Sequence, residues 1–360
     1  MKFQEYTTTF LNIKKSEVKK STYCNYANNL KQINKYIGNE NIEKIKTENI
    51  EKMCIKMIED GYSYKTLTDM KMITKSVLKQ ARKSKLTNEI IDTINIPKNL
   101  IEIAKSRTKK EVEIYNKEET KLLLDNLLSD CNNVDLKIKK VAIGTLILMQ
   151  TGARIGELCA LQWKDVNLKE RYIDINKTVQ RLTAPNQKSQ VIIGSPKSAT
   201  SKRKVPITDV LYEILEKEQR EEELYIVSVN ENNVTEPRTF RREYTKYLEK
   251  IKLRYLHPHA LRHCFASNLI NNGVNVKYAS QILGHSNSGI TLDVYTHTTQ
   301  TELIQVANKI NNNTEQKVNS QQVKFEQSNI TGLLEILKDC KNVVININTG
   351  PIYNNYGGGN

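Results

Sequence analysis

Up to Asn311, apolar residues recur along this chain at steps of three and four, except between Arg171 and Thr208, where they alternate. Within that region, RYIDINKTVQRL (171–182), QVIIGSPKS (190–198) and KRKVPIT (202–208) read as strands, with turn residues between them. A period of two puts successive side chains on opposite faces of a strand, and a period near 3.6 puts them on one face of a helix. The switch confines the fold to a mainly α protein with a small antiparallel β-sheet.

Tyr23, Tyr26, Leu30, Ile33 and Ile37 form one helical stripe. Thr47 before ENIEKMCIKMI is the expected N-cap of a second helix, which Gly61 closes. Ser63 opens a third, with Leu67, Met70, Ile73, Val77 and Ala81 on its inner face and Lys65, Lys71, Lys75 and Lys79 between them. Pro97 and the polar run KSRTKK read as a linker, and Asn116 with Glu119 carries a capping-box signature for a new helix. A buried helix follows through VAIGTLILMQ, and helices resume from Val210 as far as QTELIQVANKI. The expected organisation is a helical unit over 1–104, a linker over 105–115, a second unit over 116–311 and a polar C-terminal extension over 312–360.

The formal net charge is +15, and residues 1–110 carry 23 Lys and Arg against 12 Asp and Glu. Such a basic lobe suits a polyanion, because each phosphate contact releases condensed counterions. A lysine-rich surface without a partner explains the same numbers. The longest apolar run is far shorter than the ~20 residues that span a bilayer. The N-terminal MKFQEYTTTF lacks an apolar signal core, so a cytoplasmic location and no membrane partner are expected. The six scattered cysteines include no CxxC pair, which points to reduced thiols over zinc or disulfides.

Chemistry concentrates in three motifs. In TGARIGELCALQW, Thr151-Gly152 breaks the buried helix and Arg154 stands beside the break, with Glu157 in the first turn of the next helix. A guanidinium there suits two non-bridging phosphate oxygens, or simply a salt bridge to Glu157. All five histidines lie between His257 and His297. HPHALRH sets His259 and Arg262 on one face of a helix starting after Pro258. An anion between them would relieve their repulsion; a zinc site is the alternative, although the motif offers no carboxylate. In LGHSNSGITLDVYTH, Gly284 permits a tight turn, His285 follows, and Tyr295 stands two residues before the closing His297. A lone tyrosine such as Tyr295 is more often an amphipathic packing residue than a nucleophile.

Together TGARIGEL, HALRH, LGHSN and VYTH resemble the tyrosine recombinase (phage integrase) family over about residues 1–311. The long hairpin KTVQRLTAPNQKSQVIIGSPKS looks more like integrases of prophages and conjugative transposons than like compact resolvases. The resemblance implies a two-domain DNA clamp: a helical, SAM-like core-binding domain over 1–104 and a catalytic domain over 116–311, with no separate arm-binding domain expected ahead of it. Cys264 stands where the family usually has threonine. The family pattern places catalysis on Arg154, Lys197, His259, Arg262, His285 and Tyr295, with Lys202 and Lys204 close to the lysine position. Tyr295 becomes the nucleophile that forms a 3′-phosphotyrosine, and Glu157 braces Arg154. His263 and His297 are read as packing or hydrogen-bonding residues, and His257 has no assigned role. The resemblance further implies double-stranded attachment-site DNA as partner, self-association to a tetramer on DNA, a C-terminal helix exchanged between neighbours, and neither cofactor nor metal. A directionality factor for excision is left open. Type IB topoisomerase-like relaxation and a catalytically silent DNA-binding regulator are the competing functions.

Overall fold

The structure is a computed structural model and describes residues 1–284 apart from residue 92 and residues 108–112, 196–198 and 231–232. Five helices come first: α1 (Phe3–Glu17), α2 (Lys20–Ile37), α3 (Thr47–Glu59), α4 (Tyr64–Lys83) and α5 (Lys98–Ser106). The inner stripe of α4 is buried as its spacing requires, joining Phe3, Phe10, Ile33, Met57, Ile73 and Val77 in one apolar core. Ser63 caps α4, its hydroxyl accepting from the Thr66 N–H at 3.3 Å. Gly61 adopts a φ of +93° after α3.

Two local expectations shift. Thr47 is the first residue of α3 and not its cap; Lys46 is the cap, and its N–H donates to the Asn49 side chain at 2.9 Å. Pro97 opens α5 instead of ending regular structure, since proline at a helix start lacks only an N–H with no helical partner. Its carbonyl accepts from the Ile101 N–H at 3.1 Å. Lys105 and Ser106, read as linker, therefore belong to a helix.

The remaining elements are α6 (Lys117–Asp130), α7 (Leu136–Thr151), α8 (Ile155–Ala160), β1 (Val166–Asn167), β2 (Tyr172–Ile175), β3 (Thr178–Leu182), β4 (Gln190–Gly194), β5 (Arg203–Pro206), α9 (Asp209–Glu218), α10 (Pro237–Lys250), α11 (His259–Asn271) and α12 (Val276–Leu283). The capping box of α6 forms in both directions: Asn116 N–H to Glu119 at 2.9 Å and Glu119 N–H to Asn116 Oδ1 at 2.7 Å. The apolar α7 runs through the second core, surrounded by Leu127, Trp163, Ile173, Phe240, Tyr244 and Leu248. Removing one such side chain costs roughly 2–5 kcal/mol.

The strands form two antiparallel sheets. One has the order β1-β2-β5, with Ile175 opposite Arg203; the other is the β3-β4 hairpin, with Val179 opposite Ile193. The hairpin reaches back to the first unit, where Leu182 and Ala184 are buried against Cys24 and Ala27 of α2. There the Asn28 amide donates to the Thr183 carbonyl at 2.8 Å. On the chain side of the junction, Arg254 ties Glu113 and Glu119 at 2.7 and 2.6 Å. The two units therefore meet at the α2–hairpin contact as well as through the connecting chain. Among the described residues, no helix is long and apolar enough to cross a membrane.

Candidate active site

The site grows from helix ends. Helix α7 stops where the Thr151 hydroxyl turns back to the Ile147 carbonyl at 2.6 Å and Gly152 takes a left-handed φ of +61°. Space demands glycine there as well, because a Cβ would lie 2.6 Å from the Phe265 ring. The chain reverses, and Arg154 caps α8 with its N–H on Glu157 Oε2 at 2.8 Å. Its guanidinium also donates to Glu157 Oε1 at 2.8 Å and to the Gly284 carbonyl at 3.4 Å. The local ion pair foreseen for this motif is thus present, and it leaves the Arg154 side chain partly open to solvent.

Helix α11 begins at His259, immediately after Pro258, and sends Arg262 inward one turn later. Arg262 is 2% exposed. It donates to the Gly152 carbonyl at 2.8 Å and to the Leu283 carbonyl at 2.6 Å, joining the ends of α7 and α12. A guanidinium holds five N–H donors in a fixed fork, so these two bonds fix its plane. Gly284, with φ +68°, ends α12, and His285 is the next residue.

His259 stacks edge-to-face on His263, with ring centroids 4.7 Å apart. His257 acquires a role too: its Nδ1 accepts the His259 N–H at 3.2 Å, capping the start of α11. His259 is exposed overall. Even so, desolvation, followed by repulsion from His263, Arg262 and Arg154, pushes its imidazole down to about 4. It is therefore neutral at pH 7, with one ring nitrogen left as a hydrogen-bond acceptor.

Glu157, 2% exposed, faces this cationic surround. Burial alone would raise its pKa, but Arg203 first and Arg154 second outweigh burial and hold the carboxyl below the usual range. Burial and then the neighbouring Arg154 and Arg203 press Arg262 down to about 9, with Glu157 pulling back. Arg262 stays charged at neutral pH. Among the described residues, three guanidiniums thus face one carboxylate, an excess of positive charge that a phosphodiester would neutralise.

Arg203 has no counterpart among the sequence-derived candidates. It donates to Glu157 Oε2 at 3.0 Å, Glu157 Oε1 at 3.3 Å, the Ser201 carbonyl at 3.1 Å and the Ile282 carbonyl at 2.6 Å. A signal was available: in KRKVPIT, Arg203 shares the strand face of Val205, the buried one. Lys204 points the other way and sits 4.3 Å over the Tyr172 ring, while Lys202 is exposed.

The structure thus gathers Arg154, Glu157, His259 and Arg262 in one place. Lys197, His285, Tyr295 and His297 lie outside the described residues, as do QTELIQVANKI and residues 312–360. Lys65, Lys71, Lys75 and Lys79 are on α4, in the first unit; Lys65 pairs with Asp69 at 2.9 Å, and Lys71 and Lys75 line a shallow depression with Ile91, Thr93 and Ile94. Among the described residues, no group of three or more His, Cys, Asp and Glu side chains could hold a metal ion.

The chain matches the phage integrase family over residues 115–302, just over half its length, and the phage integrase N-terminal SAM-like domain over residues 2–58. It is 29% identical over 282 residues to a tyrosine recombinase XerC-like protein of Caldanaerobacter subterraneus subsp. tengcongensis, covering 71% of this chain and 68% of that one. It is 26% identical over 281 residues to the transposase from transposon Tn916 of Enterococcus faecalis, covering 73% and 66%. The chain therefore spans about two thirds of the length of these relatives. Its fold is that of the Tn1549 transposon integrase solved in complex with a circular intermediate DNA: TM-score 0.68, 20% identity, 86% of this chain and 99% of that chain covered.

Proposed function

The chain belongs to the phage integrase family of tyrosine recombinases, and on that premise we propose that it is a site-specific recombinase that integrates or excises a mobile genetic element. The carrying observation is the convergence of Arg154, braced by the buried Glu157, and Arg262, held by the Gly152 and Leu283 carbonyls, beside His259.

In this reading the phenolic oxygen of Tyr295 attacks the scissile phosphorus, and the bond to the 5′ oxygen breaks as the bond to tyrosine forms. Arg154 and Arg262 neutralise the non-bridging oxygens, where negative charge grows in the transition state; each such group is typically worth ~10²–10³ in rate. His259, neutral beforehand, takes or shares the tyrosine proton. His285 donates a hydrogen bond to the phosphate, and Lys197 protonates the departing 5′ oxygen. The product is a 3′-phosphotyrosine and a free 5′ hydroxyl. A 5′ hydroxyl of the partner strand then reverses the chemistry, so no external energy source is required.

With guanidiniums in the charge-neutralising role, the reaction needs no metal. Two duplexes present four strands, and four nucleophiles imply a tetramer on DNA. The double-stranded sites lie between the two units, and Lys65, Lys71, Lys75 and Lys79 of α4 contact backbone phosphates. Leu303→Asp, on the apolar face of QTELIQVANKI, should leave single-site binding intact and impair synapsis; unchanged recombination would count against exchange of that segment.

The first test incubates the protein in EDTA with nicked duplexes cut from the DNA flanking its own gene. The reading expects an SDS-resistant protein–DNA adduct with wild type and none with Tyr295→Phe. A protein that binds such a duplex and forms no adduct would instead be a silent DNA-binding regulator.

A further inference from the structure

Resting on the recombinase reading, we propose that Arg203 is a positioning residue for strand cleavage: it holds Glu157, and through it Arg154, while anchoring the end of α12 that leads into His285. Its fork is spent on the protein itself, on both oxygens of Glu157 and on the Ser201 and Ile282 carbonyls. The side chain is only 5% exposed, so Arg203 acts through other residues and does not touch the phosphate.

The anchor is rigid. Arg203 is paired with Ile175 across the β2-β5 ladder, and Gly284 lies directly on its side chain. A Cβ at Gly284 would stand 3.0 Å from Arg203 Cδ and 3.1 Å from Nη1. One guanidinium therefore meets three parts of the site: the brace of Arg154, the segment that follows Lys197, and the turn that precedes His285.

The charge arrangement explains why a second arginine is needed. Glu157 is almost wholly buried and ionised, so it must keep a cation beside it. While Arg203 stays in place, Arg154 can turn its donors to an incoming phosphate without leaving Glu157 unpaired. Without Arg203, Arg154 is the one guanidinium left on Glu157 among the described residues, and the phosphate must compete with a buried carboxylate for it. The loss then falls on the chemical step and not on the affinity for the duplex, most of whose contacts lie elsewhere.

A lysine at position 203 keeps the charge but offers three donors from a single nitrogen, too few directions for a carboxylate and two carbonyls. The test uses the full chain on the nicked flanking duplex, measuring single-turnover adduct formation, duplex affinity and thermal melting. Arg203→Lys should slow adduct formation at least tenfold with affinity within twofold of wild type. Arg203→Met should be slower still. Adding Glu157→Gln to Arg203→Met should restore rate relative to Arg203→Met alone, because the carboxylate that captures Arg154 is gone.

A wild-type rate in Arg203→Lys overturns the proposal. So does a parallel fall of rate, affinity and melting temperature, or a double variant no faster than Arg203→Met. Should Arg203→Lys fail to fold, the comparison of the double variant with Arg203→Met carries the test, since the double variant leaves neither member of the pair alone in the interior. An absence of adduct with bound wild-type protein would defeat the recombinase reading itself, a result separable from any of these.

Discussion

Glu157→Gln is the sharpest test of the charge arrangement. The substitution preserves shape, yet it removes the one carboxylate that, among the described residues, faces three buried or half-buried guanidiniums. Glu157 accepts from the Arg154 N–H at 2.8 Å, the Arg154 guanidinium at 2.8 Å and the Arg203 guanidinium at 3.0 and 3.3 Å. A glutamine amide keeps a single accepting oxygen, and its NH2 group confronts other donors. The Glu157–Arg203 pair is 2% and 5% exposed, so solvent screening gives little relief. Breaking a buried pair of this kind typically costs ~3–5 kcal/mol. For a unit of this size, each kcal/mol lowers the melting temperature by about 2–4 °C, which gives a drop of roughly 6–20 °C.

The same variant carries a pH signature. The Glu157 carboxyl ionises below its usual range when folded, because Arg203 and Arg154 outweigh the desolvation that opposes them. On acidification the unfolded chain takes up the proton first, near the ordinary pKa of ~4.3, so this part of the stability is complete at neutral pH and drains away below that value. The melting-temperature gap between wild type and Glu157→Gln should therefore be widest near pH 7 and narrow below pH ~4. Scanning calorimetry across that range is the assay. A gap under about 3 °C at pH 7, or one that widens with acid, would refute the reasoning.

Gly152→Ala combines a left-handed φ with a Cβ 2.6 Å from Phe265, and should destabilise by more than ~1–3 kcal/mol with loss of adduct formation; a neutral melt would contradict it. His259, held down to about 4 chiefly by desolvation and then by its cationic neighbours, should titrate below free histidine in the unliganded protein. An NMR titration should show that midpoint and its rise when the scissile duplex binds; a free-histidine midpoint would remove the electrostatic account. Because the folded pKa lies below the unfolded value, the His259 contribution to stability should fall as pH drops from ~6.5, and His259→Gln should flatten that decline. Ala184→Glu should prise the hairpin from α2 and expose Cys24, 7% exposed at present; thiol labelling should accelerate at least tenfold, and an unchanged rate would mean the contact is not what shields it.

Much of this protein is local and was legible as such. The stripe of α4, the capping box at Asn116 and Glu119, the strand alternation after Arg171 and the break at Thr151-Gly152 all express backbone preferences within a few residues. The pairing of Arg154 with Glu157 was readable for the same reason, the partners being three residues apart. Proline at position 97 misled because its two readings, breaker and N-cap of a helix, are locally equivalent; packing of α5 against α3 and α4 chooses between them.

What the sequence alone determined is therefore the inventory: a mainly α chain, a short alternating region and the family motifs in order. Tertiary structure decided which groups meet. Arg203 finds Glu157 46 residues away, and Arg262 finds the Gly152 carbonyl 110 residues away. Alternation could turn Arg203 inward but could not name its partner, because periodicity sets the face of an element and not what packs against it. A buried charge is tolerated only where its partner arrives, and that arrival depends on how helices and sheets close on one core.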